Sequence, residues 1–105
     1  MSGAGEAGVL FRHCCLFALA SPPDAALLAE LDRFSAAFLS STPGLRGYRC
    51  APNLSRKAGR FTLVLYSVFD DEEAFRRYIS SPLHAEIAAF LAPFVEETLV
   101  GDLIA

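Results

Sequence analysis

Tyr78 and His84 stand six residues apart in the stretch YISSPLH, with Ser81-Pro82 between them. A phenol and an imidazole that reach the same substrate can take, hold and return a proton, the work of a general base with an orienting partner. On an unbroken helix the two would lie on different sides, since six residues at about 100° each turn the chain by about 600°. Ser81-Pro82 removes that obstacle by ending one helix and opening another. His84 then sits near the N-terminus of the second helix, where the positive end of the dipole disfavours imidazolium and keeps the ring neutral near pH 7. Two readings stay open on these residues. In one, both side chains face a cavity as an acid/base pair. In the other, His84 packs on the apolar stripe of Ile87, Ala88 and Leu91, and Tyr78 is a packing aromatic with its hydroxyl in water. No nucleophile, metal cluster or phosphate loop accompanies the pair to decide between them.

Other chemistry-bearing residues point to little. His13 and Cys15 share one face of an apolar segment but have too few companions for a zinc site, so no metal is expected. The loop sequence APNLSRKAG lacks the spaced glycines that cradle a dinucleotide, and no cofactor is expected. Asp70-Asp71-Glu72-Glu73 reads as a capped, solvated helix start rather than a cation cradle. A net charge of −3, from 9 basic and 12 acidic residues scattered along the chain, gives no footprint for nucleic acid or an anionic membrane. No apolar run approaches the ~18 residues of a membrane span.

Near the N-terminus, LFALASPP imitates a signal-peptide cleavage site. However, the first eight residues hold an acid and no Lys or Arg, and Arg12 and His13 interrupt the apolar stretch. Three cysteines, two of them adjacent, suit reduced thiols, and a cytoplasmic location is expected.

The elements that must position these residues follow from periodicity. Residues 1–8, small and Gly-rich, are expected to form a disordered tail, and residues 9–105 a single domain. Val9 to Ala20 reads as a buried strand, with Val9, Phe11, His13, Cys15 and Phe17 on one face and Leu10, Arg12, Cys14 and Leu16 on the other. Ser21 is the expected cap of the next helix, with Pro22 at its first position. Leu27, Leu28, Leu31, Phe34 and Phe38 form its apolar stripe, and it ends before Pro43-Gly44.

A weaker strand in LRGYRCAPNLS and a central strand in RFTLVLYSVF follow. A helix from Asp70 is expected to carry a capping-box acid at Glu73 and an apolar side of Ala74, Phe75, Tyr78 and Ile79. The helix opened by Ser81-Pro82 is expected to run through Ile87 and Leu91 to Phe94 or Val95, and TLVGDLIA to close the chain as a strand. The order β-α-β-β-α-α-β specifies an α+β ferredoxin-like plait with a broken second helix. Helices on one face of a four-stranded sheet leave the other face bare. With 53% hydrophobic residues, that face predicts a homodimer.

From Val9 to Ile104 the sequence resembles the stress-responsive A/B barrel family, the dimeric α/β barrels abbreviated Dabb. The marks are His13 in the first strand, Pro43-Gly44 after the first helix, Phe69-Asp70 closing the third strand, Tyr78, the Pro-x-His of Pro82 to His84, and Asp102 in the last strand. The resemblance implies two antiparallel four-stranded sheets packed face to face in a dimer, with a cavity between sheet and helices in each subunit. Family members of the olivetolic acid cyclase type close linear polyketides without a cofactor. Similarity to them implies His84 as general base, Tyr78 as orienting phenol, and His13, Leu31, Leu63, Leu65, Ser67 and Asp102 as positions around an apolar small-molecule substrate. Leu63 stands where those cyclases carry a second cavity histidine, so that polar contact is absent here. The alternatives are a metabolite-binding or stress-responsive protein without chemistry and, by fold analogy alone, a monooxygenase.

Overall fold

The computed structural model describes residues 9–105; the expected tail over residues 1–8 lies outside them. The elements run β1 (Phe11–Leu19), α1 (Ala25–Ser41), β2 (Leu45–Pro52), β3 (Phe61–Phe69), α2 (Glu72–Ile79), α3 (Pro82–Leu91) and β4 (Val95–Ile104). All strand pairs are antiparallel, in the order β2-β3-β1-β4. This is the expected ferredoxin-like α+β plait, its three helices on one face of the sheet.

Local chemistry sets the boundaries. Helix α1 starts at Ala25, not after Ser21, and its cap is Asp24, which accepts from the Leu27 amide at 2.8 Å. The double proline explains the shift, because Pro23 keeps Pro22 out of the helical region and no helix can begin there. Helix α2 is capped by Asp71, which accepts from the Ala74 amide at 2.9 Å. Asp70 is held elsewhere: it pairs with Arg46, and its amide donates to the Gly44 carbonyl at 2.8 Å. With the cap one residue later, Glu73 loses its capping-box place and pairs with Arg77 one turn on. Ser81 and Pro82 open α3 as expected. Helix α3 stops at Leu91, however, and Val95 opens β4, because β1 needs a partner as far as the Leu19–Val95 pair.

The core lies between the helices and the sheet face that carries Phe11, Cys15 and Phe17 of β1 and Leu63, Leu65 and Phe69 of β3. Leu27, Leu31 and Phe38 of α1 and Tyr78 of α2 close it. Gly44, at φ 81°, makes the turn after α1 possible, and a Cβ there would stand 2.7 Å from the Ala74 Cβ. Among the described residues no element covers the opposite sheet face. Tyr66, Leu99 and Leu103 lie on it, 41%, 46% and 56% exposed, and Arg12 crosses it to donate to the Tyr66 hydroxyl at 2.9 Å.

Candidate functional site

Strand β1 alternates its side chains, so His13, Cys15 and Phe17 all point to the helix side. There α2 and α3 stand off from the β1–β4 end of the sheet and leave a cavity of about 490 Å³. Its sheet wall includes His13, Cys15, Leu65 and Val100; its helix wall includes Tyr78, His84, Ile87 and Leu91. The break between α2 and α3 turns His84 toward Tyr78. Ser81 caps α3 by accepting from the His84 amide at 3.2 Å, fixing where the imidazole leaves the helix.

Three groups form a continuous polar line at the sheet wall. Asp102 is the cross-strand partner of His13 on β4, and its carboxylate accepts from His13 Nδ1 at 2.5 Å. A carboxylate at Nδ1 keeps a ring hydrogen there, so that in the neutral ring Nε2 is the acceptor. Cys15 Sγ lies 3.2 Å from that Nε2. His13 rests on the Phe75 ring, with centroids 4.7 Å apart. Burial, with smaller contributions from Cys14 and Asp102, pushes the Cys15 thiol up to about 12.

Across the cavity, the His84 ring stands nearly perpendicular to Tyr78, with centroids 4.9 Å apart. Burial, and secondarily the charge of His13, holds the His84 pKa below the usual imidazole value. Near pH 7 this ring is a free base. The Tyr78 hydroxyl bonds the Tyr48 hydroxyl at 3.0 Å, so its contact with His84 is through the ring rather than the oxygen. Burial pushes Tyr78 up to about 12 and Tyr48 higher still. Both phenols are neutral. No buried side-chain nitrogen or oxygen among the described residues lacks a partner.

His13, Leu65, Tyr78 and His84 thus line one cavity, with Asp102 behind His13. Leu31, Leu63 and Ser67 are fully or almost fully buried in the core and do not line it. Ser67 touches the site only through its hydroxyl, 3.5 Å from the His13 carbonyl. Two contributors escaped the reading of the sequence. Tyr48 shares the inward face of β2 with Cys50, an alternation that period-two reading could have found. The other is Cys15, whose i+2 relation to His13 places both on one strand face and which also lines the cavity. Among the described residues no group of three or more His, Cys, Asp or Glu could hold a metal ion, and no helix is long and apolar enough to cross a membrane.

The fold has clear relatives among solved structures. A dimeric ferredoxin-like protein of unknown function from Thermobifida fusca superposes with a TM-score of 0.76 at 21% identity, covering 93% of this chain and 92% of that one. A Dabb family protein with a ferredoxin-like fold from Mesorhizobium loti gives 0.73 at 21% identity, over 92% and 97% of the two chains. The hydroxynitrile lyase of Passiflora edulis gives 0.76 at 19% identity, over 93% and 94%. No curated protein matches the sequence. The family model for the stress responsive A/B barrel domain matches residues 11–105. That span takes in every strand and helix described above, and the chain belongs to the stress-responsive A/B barrel (Dabb) family.

Proposed function

We propose that this protein is a homodimer whose subunit cavity performs cofactor-independent acid–base chemistry on an apolar carbonyl compound, in the manner of a polyketide cyclase. The observation that carries this reading is the pair of unlike imidazoles on one largely apolar cavity: a free-base His84, and a His13 held by Asp102. In the proposed step His84 removes a proton α to a carbonyl, and the resulting enolate attacks a second carbonyl of the same molecule. The new alkoxide then recovers the proton from His84. Tyr78 sets the His84 ring by edge-to-face contact, and the apolar wall folds the chain of the substrate. A hydroxynitrile lyase shares the fold, so a catalytic use of this cavity has a structural relative.

The uncovered face with Tyr66, Leu99 and Leu103 supports the dimer, as do relatives described as dimeric. Three free cysteines fit a reducing compartment such as the cytoplasm. A binding role without turnover is the second reading, favoured by the engagement of the Tyr78 hydroxyl with Tyr48 instead of His84.

The test is ring closure of a linear polyketide N-acetylcysteamine thioester, followed by chromatography and mass spectrometry. Cyclised product should form above the buffer rate, and His84→Gln should slow it by roughly 10²–10⁴. Equal rates for the folded variant and the parent would refute the chemistry. Saturable binding of the thioester with no product would establish the second reading.

A further inference from the structure

Cys15, His13 and Asp102 stand in the order nucleophile, base and orienting carboxylate, with Sγ 3.2 Å from Nε2 and Nδ1 2.5 Å from Oδ1. The acid–base chemistry proposed for His84 leaves this thiol unused, yet the thiol lines the same cavity. We propose that Cys15 is a nucleophile activated by His13 and Asp102, and that it captures apolar α,β-unsaturated carbonyl compounds covalently from the cavity.

Each part of the geometry bears on that chemistry. The carboxylate of Asp102 holds the hydrogen at Nδ1, so Nε2 faces the thiol as an acceptor. The thiol is protonated at rest, its pKa pushed up to about 12, so a bonded base is what makes it nucleophilic. As the sulfur attacks the β-carbon, the S–H bond breaks and its proton passes to Nε2. The S–C bond forms, and the alkene electron pair moves onto the carbonyl as an enolate. The His13 imidazolium then returns the proton to the α-carbon, completing addition of S–H across the double bond with no other reactant. Acyl transfer fits less well. The amides of β1 are committed to pairing with β3 and β4, which leaves no pair of them to hold a tetrahedral oxyanion at the sulfur. The apolar lining from Phe17, Leu65, Ile87 and Leu91 favours an electrophile with a hydrocarbon body.

The other two cysteines supply internal references. Cys14 points to the uncovered sheet face. Cys50 is 1% exposed on β2, is pushed up to about 12 mainly by burial, and has no imidazole partner.

The test uses the full chain in a Cys14→Ser background at neutral pH with N-phenylmaleimide, an apolar conjugated alkene, and peptide mass spectrometry to locate and time the adduct. One equivalent should add at Cys15 well before Cys50 reacts, whereas in urea the two thiols should react alike. His13→Gln should slow the Cys15 reaction by roughly 10²-fold or more relative to Cys50 in the same molecule, with a smaller loss for Asp102→Asn. Because partial unfolding would raise both thiols together, the ratio separates activation from stability. Comparable labelling of Cys15 and Cys50 in the folded protein, or an unchanged ratio in His13→Gln, would overturn the proposal.

Discussion

Removing the hydroxyl of Tyr78 alone should destabilise the fold more than removing both hydroxyls of the Tyr48–Tyr78 pair. The oxygens lie 3.0 Å apart, on residues 6% and 1% exposed, and each is the other's hydrogen-bond partner. Tyr78→Phe therefore strands the Tyr48 hydroxyl in the core, and Tyr48→Phe does the reverse. An unpaired buried polar group costs about 1–3 kcal/mol, while replacing both partners by apolar groups of the same shape is nearly neutral. The rings keep their packing throughout, since Phe38 contacts Tyr48 at 4.7 Å and Tyr78 at 5.1 Å between centroids. Each single variant should thus lose ~1–3 kcal/mol, with the melting temperature falling by about 4–8 °C per kcal/mol in a domain of this size. The double variant should return close to the parent, so the coupling equals the sum of the two single losses, ~2–6 kcal/mol in magnitude. Urea unfolding at fixed protein concentration, with the slope checked for constancy, measures all four corners of the cycle. Strictly additive losses, or single variants indistinguishable from the parent, would refute the claim that these hydroxyls satisfy each other.

Three further outcomes are expected. The His84 ring should titrate by NMR with a midpoint below the ordinary 6.5, rising but not fully recovering in His13→Gln, since burial is the larger cause and the charge of His13 the smaller. Because that pKa is depressed, the contribution of His84 to stability is fully present above about pH 6.5 and is lost as pH falls through the window below it; a midpoint at or above 6.5 would contradict the burial argument. Gly44→Ala should cost more than Gly59→Ala in a denaturant titration: both positions have positive φ, worth ~1–2 kcal/mol against alanine, but only Gly44 would also drive a Cβ to 2.7 Å from Ala74, while Gly59 faces open space. Finally, Tyr66→Glu should convert the proposed dimer to monomer by light scattering, since it buries an unpaired charge in the sheet face; a dimer that survives it is not built on that face.

Element type and order were readable from periodicity because the strong signals are local. Alternation marks RFTLVLYSVF, helical spacing links Leu27, Leu31 and Phe38, and Ser81-Pro82 breaks the second helix where the structure does. Boundaries failed where a second residue competed for the same job. Asp24 displaced Ser21 as a cap because of Pro22-Pro23, and Asp71 displaced Asp70 because Arg46 and Gly44 hold Asp70. At the site, His13, Tyr78 and His84 were legible by type, and the family resemblance brought Asp102 to them. The direction of the Tyr78 hydroxyl was not legible, because its partner Tyr48 lies 30 residues away on another strand. Nor was the role of Cys15 visible, since a thiol gains meaning only once Asp102 has fixed which nitrogen of His13 it meets.

The pairing of His13 with Asp102 joins residues 89 apart in sequence, and β1 is sandwiched between two strands that both follow it far along the chain. Among the described strands β1 is made first but receives its neighbours β3 and β4 late. Contacts of such long range slow folding, because the loop must close before the pairing repays it. Until then FRHCCLFAL is an apolar ribbon with both edges open, relieved only by Arg12 and His13. Chaperone demand in the cell should therefore centre on this one segment. The same delay means that the polar line from Asp102 through His13 to Cys15 assembles as the last strand docks, so partly made chains carry a thiol with no base beside it.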